Sequence, residues 1–281
     1  TGDEIETLGW ALNRMLRRID SSMNRIQRLA FVDPVTELPN RERFMRETEA
    51  ALARLKDEVA VVALIDIERF RSINESLGPH RGDEALAAIG ERLAFAARAA
   101  DKVLRANFDQ DAPSVIARLG ADEFGLLIPS LTEKTHAAKF IQLVIASMRQ
   151  PLLVAGHTLT LGAGAGVAIA PGDGETAQDL FKHADLALKE AKRSGTGRAR
   201  FFTRAMNSAA QDRLKLETEL RVAADRGEFI AFYQPKVELK TNKIVGVEAL
   251  ARWCKPSGEI IAPGRFIETA EEIGLIGMIG E

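Results

Sequence analysis

The sequence predicts an α/β (α+β) domain in which a sheet is flanked by helices, preceded by a separate helix and followed by the start of a second domain. Apolar runs of strand length alternate with segments of helical periodicity, and a hairpin signature lies between them. The 281 residues allow one large domain or two ordinary ones. With 46 % hydrophobic and 28 % charged residues, the composition excludes disordered and collagen-like classes.

The first 30 residues carry a heptad pattern of their own. Apolar side chains recur at alternating steps of three and four residues, with Ser22 in the remaining position. The positions of this seam are Ile5, Leu8, Leu12, Met15, Ile19, Ile26 and Leu29. Such a narrow stripe indicates a short parallel coiled coil with a second copy of the chain, and the alternative is a helix packed on its own domain. We favour the coiled coil because only Gly9 interrupts the pattern.

The predicted sheet domain begins with residues 31–41, FVDPVTELPNR, where two prolines and Asn40 separate the first helix from one that starts near Glu42. The apolar run Val59–Ile65 has strand length and ends at Asp66, and Gly82-Asp83 opens the next helix. The later elements are two strands within Val115–Ile128 around Gly120–Glu123, a helix over Leu131–Gln150, a strand over Leu159–Ala170 and a helix over Ala177–Arg193.

The second domain begins with a charged helix, Asn207–Arg226. A strand pair follows, Phe229–Val237 and Ile244–Leu250, joined by a turn at Lys240–Lys243. The last predicted element is one helix over Ala262–Ile279.

Composition and charge argue against a nucleic-acid-binding, disulfide-linked or membrane-spanning protein. With 38 basic and 40 acidic residues the net charge is −2, so no global positive field attracts nucleic acid, and phosphate recognition must be local. Cys254 alone cannot form an internal disulfide or a multi-thiolate metal site. No apolar run reaches the roughly 18 to 20 residues that cross a bilayer, and no signal-peptide pattern is present. Because the chain begins at Thr1, we expect it to be a piece of a longer protein.

Acidic residues stand where predicted strands end. Asp66 follows a buried strand, and Asp122 and Glu123 lie at a hairpin tip. Carboxylates that converge on one sheet edge suit Mg²⁺, which binds one or two carboxylates together with water and substrate phosphates. Two such ions can clamp a phosphoryl transfer. The alternative is that Asp122 serves the turn and Asp66 ends a strand.

A second polar group follows Asp66, with Asn74 and Asp83 flanking the connection Gly78–Gly82. An amide and a carboxylate suit the edge of a guanine, because a carboxylate accepts from N1–H and the exocyclic amine. The alternative is that Asp83 caps a helix, which is worth roughly 0.5–2 kcal/mol.

Basic and glycine residues form two further patterns. Lys192, Arg193, Arg198 and Arg200 surround Ser194–Gly197 at a helix end, which suits phosphate binding or a solvated helix C-terminus. Gly162, Gly164 and Gly166 alternate within an apolar strand. Their spacing does not fit a dinucleotide-binding loop, so we interpret them as strand glycines that allow close packing.

Several of these segments together resemble the GGDEF family of diguanylate cyclases, in order and spacing over about 170 residues. They are Asp33–Arg41, Asp66–Arg71 with Asn74, Gly82-Asp83, Arg118–Phe124 (RLGADEF), Ala184-Asp185 and Ala191-Lys192. The second domain resembles the opening of an EAL phosphodiesterase, through Tyr233–Lys236, Glu248–Trp253 (EALARW) and Pro263–Leu275. The first helix, with Asp3–Ile5 and Asn13, resembles the last helix of a HAMP relay.

The resemblance implies a cyclic di-GMP signalling protein in which two facing protomers join two GTP molecules. It implies Mg²⁺ (or Mn²⁺) as cofactor, bound by Asp66, Asp122, Glu123 and the backbone of Ile67, with Asp122 and Glu123 catalytic. The implied GTP-binding residues are Asn74, Asp83, Phe70, Arg71, Gly120, Ala121, Lys192 and Arg198. Each 3′-hydroxyl attacks the α-phosphate of the other GTP, so alignment of the protomers by the first helix would control the rate.

The EAL-like part implies Glu248 as a metal ligand and Arg252 as a phosphate contact, with Gln234 and Leu250 beside them. Such domains close as barrels of roughly 250 residues with ligands from several strands. We expect no complete metal site and no phosphodiesterase activity from residues 205–281.

The chain departs from the GGDEF pattern at several positions. Ala121 replaces the second signature glycine, and a Cβ at a positive φ costs of order 1 kcal/mol. Thr196 stands where the family usually has arginine, and Glu68 and Glu75 replace aspartates. The inhibitory product site falls on Asp111–Ser114, where neither end matches, so we expect no product inhibition.

We therefore expect three parts, a signalling helix (1–30), a GGDEF domain (31–204) and a linker helix with the start of an EAL domain (205–281), in the cytoplasmic portion of an inner-membrane protein. The favoured hypothesis is a GGDEF domain that binds Mg²⁺–GTP and regulates an attached EAL phosphodiesterase. A working cyclase is the alternative. A dimerising relay that binds no nucleotide is disfavoured, because such a relay has no need for the metal carboxylates.

Overall fold

A computed structural model describes residues 10, 14, 15, 17, 30–104, 112–193, 195 and 197–280. Nearly the whole predicted coiled coil of residues 1–30 lies outside these described residues. The chain divides into two units, Thr1–Met206 and Asn207–Glu281.

The first unit is built on a five-stranded sheet in the order β2-β3-β1-β6-β7. Neighbouring strands run antiparallel except β6 and β7, which are parallel. The strands are β1 (Val59–Ile67), β2 (Val115–Gly120), β3 (Glu123–Leu131), β6 (Ala163–Ala170) and β7 (Ala199–Phe201), and a separate hairpin contains β4 (Leu152–Val154) and β5 (His157–Leu159). This sheet flanked by helices confirms the predicted fold class.

Helices cover both faces of the sheet. They are α1 (Arg41–Leu52), α2 (Phe70–Leu77), α3 (Pro79–Leu104), α4 (Lys134–Ser147) and α5 (Ala177–Arg193). Apolar residues of α3 and α4 pack on one face, and those of α1 and α5 pack on the other. Because β1 is central and buried on both faces, its apolar run is continuous rather than alternating, which is why it could be predicted from sequence.

Two predicted segments differ from the structure. Gly78 alone connects α2 to α3, because α3 begins at Pro79, where a proline at the first helical position loses no hydrogen bond. Asp83 therefore lies one turn into the helix and is not its cap. The helix predicted over Leu131–Gln150 begins only at Lys134, because β3 continues to Leu131.

The strand glycines pack as predicted at one position. A Cβ atom on Gly166 would lie 2.0 Å from the backbone nitrogen of Leu188 and 2.1 Å from the carbonyl oxygen of Ala184, so the absent side chain lets α5 lie directly on β6. Gly164 has no such requirement, since its Cβ would meet only the Arg198 carbonyl oxygen at 3.8 Å. Gly162 precedes β6, and the prediction that it belongs to the strand is wrong.

The second unit contains a three-stranded antiparallel sheet in the order β10-β9-β8. Its elements are α6 (Arg204–Asp225, which begins in the first unit), β8 (Phe229–Val237), β9 (Ile244–Cys254), β10 (Ile260–Ile261), a 3₁₀ turn (Pro263–Arg265), α7 (Ile267–Glu272) and α8 (Ile276–Gly280). The prediction of one helix over Ala262–Ile279 is wrong. Gly274 lies between α7 and α8 and has φ +73°. The first helix ends there because glycine adopts this left-handed conformation at no steric cost.

Among the described residues, no helix has the length and apolar character needed to cross a membrane.

Candidate functional site

The ends of β1 and β3 bring three predicted carboxylates together. Asp66 and Glu123 are direct partners across the antiparallel pair, so their side chains lie on the same face of the sheet. Asp122 occupies the turn before Glu123, and its carbonyl oxygen accepts a hydrogen bond from the Ile67 amide at 3.3 Å. The register of one hairpin against the central strand therefore places Asp66, Asp122 and Glu123 at one edge of the sheet, and their role in binding a metal stays a prediction.

Burial dominates the electrostatics of Asp66 and Glu123, and neighbouring charges add to it or oppose it. Burial raises the pKa of Asp66, and the carboxylates of Asp122 and Glu68 raise it further, while the ammonium of Lys192 lowers it. Burial also raises the pKa of Glu123, against Lys192, with Asp66 and other nearby carboxylates adding to the increase. Both groups are thus harder to ionise than in water, and a bound cation would favour their ionised forms.

Lys192 supplies positive charge at this edge. It lies in the last turn of α5, and its Nζ is 2.6 Å from Oδ2 of the half-buried Asp66. The position of α5 on β6, set by the close approach at Gly166, therefore determines where the ammonium meets the carboxylates.

The signature turn keeps a left-handed backbone although it contains alanine. Ala121 has φ +42° and Gly120 has φ +145°. Arg118 holds this turn, because its guanidinium donates to the Ala121 carbonyl oxygen at 2.9 Å and to the Asp33 carboxylate at 3.0 Å. Asp33 also accepts from the Thr36 amide and hydroxyl, each at 2.9 Å. Although burial opposes it, these hydrogen bonds lower the pKa of Asp33.

Replacing Ala121 by glycine is expected to stabilise the first unit by about 1 kcal/mol, because an L-residue pays that much in the left-handed region. Affinity for the GTP that the family resemblance implies is expected to rise by a few fold, because removing the Cβ lets the nucleotide approach the backbone of the turn more closely. Ala155→Gly is the matched control, since Ala155 also has a positive φ (+50°) but lies in the turn between β4 and β5. Urea unfolding and calorimetric GTP titration check the pair; equal changes in GTP affinity for both variants would contradict a role of the signature turn.

The predicted guanine-reading residues lie on α2 and α3. Asn74 and Asp83 are exposed, and the Asn74 side chain lies over Gly82, where a Cβ would be only 1.8 Å from its Oδ1. The two helices therefore approach closely at the residue before Asp83. Phe70 is buried at the start of α2, and the exposed Arg71 pairs with Glu75 at 3.0 Å.

Arg198 precedes β7 and is exposed, and its carbonyl oxygen accepts from the Ala165 amide at 2.9 Å. Thr196, the predicted departure in this loop, lies outside the described residues.

The donor set fits a magnesium ion that also binds substrate. Within the ranges that the structure describes, no three acidic, histidine or cysteine side chains close around a single point. Mg²⁺ does not require this, because it commonly takes one or two carboxylates and completes its shell with water and phosphate oxygens. The paired Asp66 and Glu123, with raised pKa values, supply such a set.

The site contains residues to which the sequence analysis gave no role. Asp33 and Arg118 hold the turn, and Glu68 lies beside Asp66 and accepts from the Gly197 amide. The spacing Asp33-Pro-Val-Thr36 is a turn signal that could have identified the first of these. Nothing local in the sequence links residue 118 to residue 33, because that contact spans 85 positions.

At the predicted position of the product site, Asp111–Ser114, the last residue has a structural role. Ser114 is buried, and its amide and hydroxyl donate to the buried Asp101 carboxylate at 2.9 and 2.6 Å, which ties the start of β2 to α3. Asp111 lies outside the described residues. A cavity of about 490 Å³ beside α1 is bordered by Ala112 and Pro113, and the predicted nucleotide residues do not line it.

In the second unit, the predicted EAL residues share one sheet face. Gln234 is the direct partner of Glu248 across β8 and β9, and Leu250 and Arg252 follow at alternate positions. Glu248 pairs with Lys236 at 3.2 Å, and the Arg252 guanidinium lies 5.6 Å from the centre of the Phe232 ring.

Comparison with known proteins identifies the families to which the two parts of the chain are similar. Residues 30–198 match the family model "Diguanylate cyclase, GGDEF domain", and residues 217–281 match the EAL domain model. The chain is 37 % identical, over 90 % of its length, to the bifunctional diguanylate cyclase/cyclic di-GMP phosphodiesterase MucR of Pseudomonas aeruginosa. It is 32 % identical, over 96 % of its length, to the cyclic di-GMP phosphodiesterase NbdA of the same organism. The chain spans about a third of the length of these relatives, 35 % and 33 % respectively.

Solved structures show the same fold. The GGDEF domain of YfiN from Pseudomonas aeruginosa matches with a TM-score of 0.56 and 31 % identity, covering 64 % of this chain and 99 % of that one. A sensory box/GGDEF family protein from Caulobacter crescentus matches with a TM-score of 0.52 and 32 % identity, covering 59 % and 100 %. Because the first family model alone spans more than half of the chain, the chain belongs to the diguanylate cyclase GGDEF domain family and carries, from residue 217, part of an EAL domain.

Proposed function

We propose that the GGDEF domain, residues 31–204, binds Mg²⁺–GTP at the edge formed by β1 and β3, and that this binding regulates an EAL phosphodiesterase in cyclic di-GMP signalling. The observation that carries the proposal is the pairing of Asp66 with Glu123, both half-buried with raised pKa values, beside the ammonium of Lys192. The similarity of the chain to MucR, a bifunctional diguanylate cyclase/cyclic di-GMP phosphodiesterase, supports the coupling to an EAL domain.

Each residue has a defined part in this proposal. Bound Mg²⁺ would neutralise phosphate oxygens of the nucleotide. Asp66 and Glu123 would hold the ion, with Asp122 and the Ile67 backbone at the same turn. Asn74 and Asp83 would read the guanine edge, and Lys192 would balance the charge of the triphosphate. Phe70, Arg71, Gly120, Ala121 and Arg198 would complete the nucleotide-binding surface.

A working cyclase is the second candidate, and one observation favours it. The backbone at Ala121 is left-handed, and Asp66 pairs with Glu123 across the strands next to it, which supports a turn that holds its conformation with alanine. In that case metal and positioning would supply most of the catalysis, with two protomers presenting their GTP molecules to each other.

The test incubates the purified protein with Mg²⁺ and GTP, follows cyclic di-GMP by chromatography and measures GTP affinity by calorimetry. The regulatory proposal predicts Mg²⁺-dependent binding without turnover. Product formation that Asp122→Ala abolishes would establish the cyclase instead. Neither binding nor turnover would leave only a relay that binds no nucleotide.

We further propose that the chain dimerises through residues 1–30 and that its parent protein is membrane-attached, with this part on the cytoplasmic side. The heptad pattern and the likeness of this helix to a HAMP relay support both proposals. These residues lie almost entirely outside the described part of the chain, so the sequence pattern alone carries them.

The heptad seam makes a testable prediction. Replacing Leu12 and Ile19 by glutamate buries two charges at the seam and is expected to make the protein monomeric. Asn13→Glu with Asn24→Glu is the control, because both asparagines lie outside the seam. Light scattering measures the mass, and a dimer that survives Leu12→Glu with Ile19→Glu would contradict the coiled coil.

A further inference from the structure

Glu68 lies directly after β1, two residues beyond Asp66, and its side chain turns towards a different part of the domain. Its carboxylate accepts a hydrogen bond from the backbone amide of Gly197. Its own amide donates to the Gly162 carbonyl oxygen at 2.9 Å. The carboxylate also lies against Gly162, where a Cβ would be 2.1 Å from Glu68 Oε2. Glu68 thus needs both a glycine at 162 and the amide of residue 197.

Gly197 belongs to the loop that joins α5 to β7. It has φ +68°, and the guanidinium of Arg149 lies against it, with Nη2 3.4 Å from its carbonyl oxygen. The next residue, Arg198, is tied to β6 through the Ala165 amide. The loop is therefore held at its C-terminal end by Glu68, Arg149 and β6.

The N-terminal end of the same loop also contacts the end of β1. The Nζ atom of Lys192 lies 2.6 Å from the Asp66 carboxylate, and the Gly197 amide donates to the Glu68 carboxylate. Asp66 and Glu68, two residues apart at the end of β1, therefore contact the residues on either side of this loop. Lys192 and Arg198, two of the basic residues in the proposed GTP site, flank the amide that Glu68 binds.

We propose that Glu68 is a positioning residue that holds Gly197 at the C-terminal end of the loop between α5 and β7, so that the next residue, Arg198, is in place for the phosphates of GTP. This inference rests on the proposed function. The contact with Gly197 depends on the length of the Glu68 side chain. An aspartate is one methylene shorter, and the Glu68 carboxylate reaches Gly197 only by passing over Gly162, which leaves room for it.

A positioning role and a metal-ligand role make opposite predictions for Glu68→Gln. The glutamine amide oxygen still accepts from the Gly197 amide, so a positioning role is retained. A role that depends on negative charge is lost in this variant. Glu68→Ala removes the acceptor, and Gly162→Ala leaves Glu68 intact but displaces its carboxylate.

The first measurement is hydrogen exchange of the nucleotide-free protein over the peptide that contains Gly197. We expect faster exchange there in Glu68→Ala and Gly162→Ala, wild-type exchange in Glu68→Gln, and no change in the control Glu175→Ala, which is exposed in the loop before α5. Unchanged exchange in the β1 and β6 peptides shows that each variant is folded. Wild-type exchange of the Gly197 peptide in Glu68→Ala would overturn the proposal.

The second measurement is GTP affinity with Mg²⁺, by calorimetry. We expect about tenfold weaker binding in Glu68→Ala and in Gly162→Ala, because each loses one hydrogen bond to a charged group. Combining the two substitutions is expected to cause no further loss. Glu68→Gln is expected to bind GTP nearly as well as the wild type. Loss of binding in Glu68→Gln, or faster loop exchange with unchanged GTP affinity, would overturn the proposal. If the wild-type protein binds no GTP, the proposed function fails, and the exchange data still decide whether Glu68 holds the loop.

Discussion

Glu123→Gln is expected to weaken Mg²⁺-dependent GTP binding by on the order of 100-fold, because it removes one of the two paired carboxylates while keeping the shape of the side chain. Calorimetric titration of GTP at saturating Mg²⁺ measures this. Glu91→Gln, at an exposed position on α3, is the control and is expected to leave the affinity unchanged. Unaltered affinity in Glu123→Gln would remove this carboxylate from the proposed site.

The same variant is expected to stabilise the nucleotide-free protein at pH 7. Because burial and neighbouring carboxylates raise the pKa of Glu123 in the folded state, ionisation of this group costs stability as the pH rises through that raised pKa. Below the ordinary pKa of 4.5 the carboxyl is neutral in both states, so the advantage of glutamine is expected to vanish there. Thermal unfolding of both proteins from pH 4 to pH 8 measures the difference, and a variant less stable than wild type at pH 7 would contradict the assigned electrostatics.

Gly166→Ala is expected to destabilise the first unit by about 3 kcal/mol or more, the largest stability effect we predict for a single methyl group. The added Cβ would meet two backbone atoms of α5, at 2.0 and 2.1 Å, and backbone cannot move aside as a flexible side chain can. Since α5 carries Lys192, GTP binding is expected to weaken as well. Urea unfolding followed by circular dichroism measures the change in free energy.

Gly164→Ala is the matched control for this prediction. It adds the same methyl group to the same strand two residues away, where the nearest atom would be a carbonyl oxygen at 3.8 Å. We expect a change within about 0.5 kcal/mol, and either sign is compatible with ordinary contact. Equal destabilisation by both substitutions would mean that strand propensity, and not the approach of α5, sets the need for glycine.

The elements that could be predicted from sequence are those with a long pattern that fits only one type of secondary structure. The run that forms β1 is apolar throughout because the strand is buried on both faces, and the hairpin around residues 120–123 has turn residues between two apolar runs. These two elements already place Asp66, Asp122 and Glu123 at strand ends. Their meeting depends on the register of β3 against β1, which no local pattern encodes.

Short elements and long-range contacts could not be predicted in this way. Strands β4, β5 and β7 have three residues each, too few for a periodic signal. The C-terminal helix was predicted as one because its apolar residues continue across Gly274, whereas the left-handed backbone there separates two helices. The contacts Arg118–Asp33 and Glu68–Gly197 join distant segments and appear only once the strands are assembled.

The measurement that tests the account most directly is calorimetric titration of GTP into the wild-type protein, once with Mg²⁺ and once with a chelator. If the acidic edge of β1 and β3 holds the ion that carries the nucleotide, binding is seen with Mg²⁺ and is lost with the chelator. Equal affinity under both conditions, or no binding under either, would contradict the account.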